Sequence, residues 1–205
     1  MIRLNQEFIP PTKRAAPKSV PELIRILKTG GRAQKEDALL NLIIFGAEDE
    51  LADCLTFPDP DTATLATAGI WECWLNEEGP DAREAIDQAI GLMERGNLAD
   101  AERQFISLSR QFPGWAEPIN KHATILYMRG RHAHSMDLCE LVVDMKPHHF
   151  GAWHGMALCA IKLHQWRIAI QAAREALKIH PQIKANREII LFAKTKMAGG
   201  LNGLD

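Results

Sequence analysis

Residues 82–115 read AREAIDQAIGLMERGNLADAERQFISLSRQFPGW, residues 116–149 read AEPINKHATILYMRGRHAHSMDLCELVVDMKPHH, and residues 150–183 read FGAWHGMALCAIKLHQWRIAIQAAREALKIHPQI. Set one above another, these lines bring Pro113, Pro147 and Pro181 into one column, 34 residues apart. Ala101, Ser135 and Ala169 form a second column, and Ala89, Ala123 and Ala157 a third. Gly96, Gly130 and His164 share a fourth, and Phe105, Cys139 and Ala173 a fifth. A period of this length marks a stacked array of supersecondary units. Within each line the small residues let two helices approach closely, the larger apolar ones fill the space between units, and the proline stops the second helix.

A 34-residue unit with this pattern resembles the tetratricopeptide repeat, over about half of the chain. Of the family's usual Trp, Leu and Gly in the first helix, Trp153 in the third line is the one present. The stretch from about residue 70 to 180 is also similar to short tetratricopeptide proteins of bacteria and photosynthetic eukaryotes. Asn120, Lys121, Ala123 and Thr124 in the second unit and His149, Phe150, Gly151 and Ala152 at the third carry that likeness, with His122 where the pattern has arginine. The resemblance implies an all-α fold, a right-handed α-solenoid of helix-turn-helix units. Its concave groove would take an extended peptide or a partner's helix, and it implies no chemistry.

Outward from the repeats, residues 1–18 with Pro10-Pro11 and Pro17 read as an extended or disordered arm, since consecutive prolines exclude a helix. Residues 19–79 read as further helices. Leu23, Ile24 and Leu27 share one face up to Gly30-Gly31, a second helix spans about 33–45, a third about 48–57, and a fourth about 62–75 after Pro58 and Pro60. The order Val20-Pro21-Glu22-Leu23-Ile24, Gly30, Ala38-Leu39 and Leu42 resembles an armadillo or HEAT repeat. Trp71 and Trp74 fall on one helical face, where they seal the first repeat or offer a second binding surface. Residues 184–197 alternate apolar and basic positions, as a terminal capping helix requires, and 198–205 read as a flexible tail.

The 205 residues are 46% hydrophobic and 24% charged, an ordinary globular balance with a formal charge of −2. The charge is uneven. Residues 47–87 hold twelve acids against Arg83, whereas residues 103–205 hold fourteen Lys and Arg against seven acids, with all eight histidines. Cys54, Cys73, Cys139 and Cys159 lack paired spacing, which fits a reducing intracellular compartment, the cytoplasm first and a plastid or mitochondrion second. No apolar run is long enough for a membrane span.

The first helix of each unit lines the groove. Counting from Ala82, Ala116 and Phe150 selects Asp87 and Ile90, then Asn120, Lys121, Thr124 and Tyr127, then His154 and Leu158 as partner-binding residues. An asparagine amide bonds a peptide backbone from both ends, a lysine neutralises a carboxylate, and a tyrosine offers an apolar face with a polar tip. The competing role for Asn120 is a tie between helices inside the solenoid. Tetratricopeptide domains that hold the C-terminal carboxylate of heat-shock chaperones use lysines, asparagines and an arginine in this groove. Here Ile86, Ile90, Lys121, Gly151 and Gly155 occupy those places, so that clamp is missing. The histidines and cysteines form no metal-ligand spacing, and no nucleophile elbow, phosphate loop or dinucleotide fingerprint occurs, so neither catalysis nor a cofactor or metal is expected. The reading is a non-catalytic scaffold or adaptor for a protein partner. The alternative is an RNA-binding helical repeat using the basic C-terminal half, with stacking left to Trp115, Trp153 or Trp166.

Overall fold

A computed structural model describes residues 18–201; all but the last residue of the arm read at 1–18, and the last four residues of the tail, lie outside it. Among the described residues there are eleven α-helices and no strand. Four helices come first: α1 (Val20–Thr29), α2 (Arg32–Ile44), α3 (Glu48–Cys54) and α4 (Pro60–Leu75). Three pairs follow: α5 (Pro80–Glu94) with α6 (Leu98–Gln111), α7 (Ala116–Met128) with α8 (His132–Met145), and α9 (Phe150–Lys162) with α10 (Trp166–Ile179). The last helix is α11 (Lys184–Leu201). None is long and apolar enough to cross a membrane.

The three pairs are the α-solenoid that the period implies. Each column of small residues lies where two helices meet: Ala89, Ala101, Ala123, Ser135, Ala157 and Ala169 are all buried. Ser135 is the polar member, and its hydroxyl donates to the Ala123 carbonyl at 2.7 Å, so burial leaves it satisfied. Each proline stands two residues past the end of α6, α8 or α10. The turn inside each unit needs a left-handed residue. Gly96 (φ 80°) and Gly130 (φ 74°) supply it freely, and His164 adopts it at φ 57°.

Helix ends depart from the pattern where local chemistry decides them. Asp59 accepts from the Thr62 backbone N–H at 3.1 Å and so caps α4, which lets Pro60 stand in its first turn instead of excluding it. The third helix stops at Cys54 instead of running on to residue 57. Conversely, α11 continues past Met197 to Leu201, because Gly199 and Gly200 cost only about 1 kcal/mol each and no proline follows.

The first four helices pack through Leu23, Leu27, Leu39, Leu42, Leu51 and Ile70. Helices α2 and α4 come so close that a β-carbon on Gly69 would lie 2.6 Å from Leu39 Cδ1. This segment does more than precede the first unit. Its core takes in Phe150, Ile179 and Ile183 of the third unit, Thr67 meets His180 Nε2 at 2.9 Å, and Gln182 donates to the Phe57 carbonyl at 3.1 Å. The segment therefore touches all three units: Glu72 meets Arg83 of the first, Glu48 meets Lys146 of the second, and Thr67 and Phe57 meet His180 and Gln182 of the third.

Candidate functional site

The first helices of the three units are α5, α7 and α9, and the C-terminal end of α4 touches each of them, at Arg83, Lys121 and Gly151. Trp74 is 1% exposed, and its indole donates to Glu48 at 2.6 Å and stacks on His149 at 4.0 Å. Trp115 closes the end of the first unit and donates to the Trp74 carbonyl at 2.7 Å. Trp71 stands edge-on to Trp74 and turns its ring toward the groove, where Lys121 Nζ lies 4.7 Å from its centroid. Glu72 accepts from Arg83 at 2.6 Å. Trp74 is therefore a packing residue, whereas Trp71 is half-buried and packs edge-on against His149 and Phe150.

Beneath Trp71 lies a polar cluster that the sequence pattern did not reveal. Glu117 is fully buried, and its Oε1 is 2.8 Å from His149 Nε2. His149 Nδ1 accepts from the Ala152 backbone N–H at 3.0 Å, so the ring proton sits on Nε2 and donates to the carboxylate. Lys121 Nζ stands 3.3 Å from the other oxygen. Burial alone would raise the Glu117 carboxyl, but the Lys121 charge and the His149 hydrogen bond outweigh it and hold the group below its ordinary range. Asn120 joins this cluster: it is 7% exposed, with Nδ2 3.4 Å from Glu117. A glutamate in a groove column three residues before Asn120, with a histidine closing the same unit, was the available signal.

The remaining selected residues separate into two sets. Lys121, Asp87 and His154 are already engaged: Asp87 accepts from Arg83 at 2.8 Å, and His154 Nδ1 donates to the buried Asn186 at 2.7 Å. Ile90, Thr124, Tyr127 and Leu158 lie nearer the C-terminal ends of the same helices. Thr124 is exposed, the other three are half-buried, and Met128 beside them is 55% exposed. So the end of α4 meets α5 at Arg83, α7 at Lys121 and α9 at Gly151, all in the first halves of those helices, and one turn from each of α5, α7 and α9 lies beyond these contacts. The chemistry of this strip is apolar with neutral polar tips and no catalytic pair. Among the described residues no group of three or more His, Cys, Asp or Glu side chains is placed to hold a metal.

No protein-family model matches the chain. A TPR repeat-containing protein of Rhizobium etli is 27% identical over 147 residues, 71% of this chain. The chain spans 63% of that relative's length. Among solved structures, the Sgt2 TPR domain of Aspergillus fumigatus superposes with a TM-score of 0.57 at 16% identity, over 62% of this chain and 85% of that one. The first TPR of Spaghetti (RPAP3), bound to an HSP90 peptide SRMEEVD, superposes with a TM-score of 0.54 at 12% identity, over 56% of this chain and 90% of that one.

Proposed function

We propose that this chain, whose fold is that of the tetratricopeptide repeat, is a non-catalytic scaffold that holds a peptide or helix of a partner protein in the open strip of its groove. The observation that carries this reading is the recurrence of one accessible turn on three successive first helices: Ile90 on α5, Thr124, Tyr127 and Met128 on α7, and Leu158 on α9. The strip offers apolar area with few charges, which suits apolar side chains of a partner better than a phosphate backbone. Asp87, Lys121 and His154 border it, and Asn120 supports it from below through Glu117.

The RPAP3 neighbour holds an acidic peptide in its first TPR. In this chain Ile86, Ile90, Gly151 and Gly155 stand where a carboxylate clamp would place polar and basic side chains, and Trp71 lies over Gly151. The proposed ligand is therefore an apolar segment and not a terminal carboxylate.

The test is a pair of surface changes in the strip, Thr124→Arg with Tyr127→Ala, compared with wild type by affinity purification and quantitative mass spectrometry after ribonuclease treatment. Loss of the ribonuclease-resistant partners with an unchanged circular dichroism spectrum is the expected result. An undiminished set from a folded variant contradicts the strip, and partners that vanish with ribonuclease move the reading to RNA.

A further inference from the structure

We infer that the cleft between α10 and α11 is a second docking surface, separate from the groove, and that it seats an acidic amphipathic helix of a partner protein. Helix α11 begins 34 residues after Phe150, so it takes the place of the first helix of a fourth unit. In the first three units the column of Ala89, Ala123 and Ala157 is buried under the unit's own second helix. Its counterpart on α11, Leu191, is 68% exposed. Among the described residues no second helix packs there.

The seat has a definite chemistry. It is a cleft of 860 Å³ with Ile170, Met197 and Ala198 as its apolar lining and Lys194 on the α11 side. Lys194 occupies a column that holds Leu92, Leu126 and Ala160 in the three units, so an apolar packing position has become a cation. Opposite it, Arg167, Arg174 and Lys178 recur along α10 at i, i+7 and i+11, a stripe about 16 Å long. Glu175, the one carboxylate lining the cleft, is taken by Lys178 at 2.7 and 2.9 Å. Arg167, Arg174 and Lys194 make no ion pair among the described residues.

An apolar floor between the basic stripe of α10 and Lys194 of α11 fits a helix that carries Leu or Ala along one stripe and Glu or Asp on both flanks. Such a helix would bury Ile170 and Met197 and pair the three free cations. Nucleic acid fits less well, because the lining holds no aromatic ring for a base to stack on.

Three fluorescent probes test this with the full chain: a designed helical peptide with a leucine stripe and glutamate flanks, the same peptide with lysine flanks, and oligouridylate. Anisotropy titrations should show the glutamate peptide binding at least about tenfold more tightly than the other two. Arg174→Glu with Lys194→Glu should weaken it about tenfold or more, while Lys184→Glu with Arg187→Glu, the same change of charge elsewhere on α11, should alter it less than about threefold. The inference falls if the glutamate peptide does not bind, if the lysine peptide or the RNA binds as tightly, or if both double variants weaken it equally. It also falls if sedimentation shows a dimer abolished by Arg174→Glu with Lys194→Glu, since a second copy would then be the occupant.

Discussion

Trp71 closes on Gly151 so tightly that a β-carbon at that glycine would lie 2.7 Å from the Cη2 atom of the indole and 3.0 Å from Cζ2. Helix α9 presents bare backbone at the one place where α4 crosses it. Gly151→Ala is therefore expected to lower stability by ~1–3 kcal/mol through overpacking, read as a shift of the urea midpoint followed by tryptophan fluorescence. Gly114→Ala, with open space around it, should change stability by less than ~0.5 kcal/mol. Equal shifts in the two variants would mean that the indole is not seated on α9.

His164 holds the left-handed turn position that Gly96 and Gly130 hold in the other units. A side chain there costs ~1–2 kcal/mol, and glycine returns part of that gain as unfolded-state entropy. The ring also meets Trp166 edge-on at 5.1 Å. His164→Gly is expected to raise stability by up to ~1 kcal/mol, and Gly130→His to lower it by a similar amount, both measurable by calorimetry. A lower Tm for His164→Gly would show that the ring contact outweighs the backbone strain.

His180 joins the first four helices to the third unit through Thr67. Burial lowers its pKa below the ordinary 6.5, since the charged ring would lose hydration with no carboxylate bonded to it. The folded value lies below the unfolded one, so the stabilising contribution is present above about pH 6.5 and is lost as pH falls through that range. Thermal melts from pH 8 to pH 5 should show a decline in Tm that is reduced in His180→Gln. An identical decline in both proteins would place the proton uptake elsewhere.

Glu48 makes the other long bridge, accepting from Trp74, His148 and Lys146. Burial by itself would raise its carboxyl, but those hydrogen bonds and the Lys146 charge bring it to about 2. Its folded pKa is below the unfolded one near 4.5, so the contribution is complete above that value and disappears as pH falls toward 2. Glu48→Gln should be destabilising at neutral pH, with the gap to wild type closing in acid. A gap independent of pH would assign the loss to packing against Trp74.

The repeat units were legible because their determinants are local. A small residue at Ala123 or Ala157, a turn residue at Gly130 and a proline at Pro147 each state their role within a few positions, and three copies fix the register. The contact of α4 with the three first helices was not legible in the same way. Trp71 reads as a packing residue on its own helix, but its destination on Gly151 depends on how successive units are placed relative to one another, which no single unit specifies. Gly151 and Gly155 did carry a hint, since glycines in groove columns permit a close approach. Glu117 lies beneath the surface, where His149 donates to one oxygen and the Lys121 ammonium stands 3.3 Å from the other. The basic stripe of Arg167, Arg174 and Lys178 reads as a solvated face until Lys194 of α11 is seen to line the same cleft.

The bridge between the first four helices and the second and third units also sets an order of assembly. Within a unit the defining contacts are near in sequence, as with Ser135 and Ala123, separated by 12 positions. Lys146 and Glu48 are 98 positions apart, Thr67 and His180 are 113, and Gln182 and Phe57 are 125. Closing loops of that length loses chain entropy before any contact compensates it. The helix pairs can therefore zip independently and early, whereas the docking of α1–α4 onto them must wait for the later units. An array that would otherwise fray unit by unit thereby acquires the contact order, and the all-or-none melting, of a closed globule.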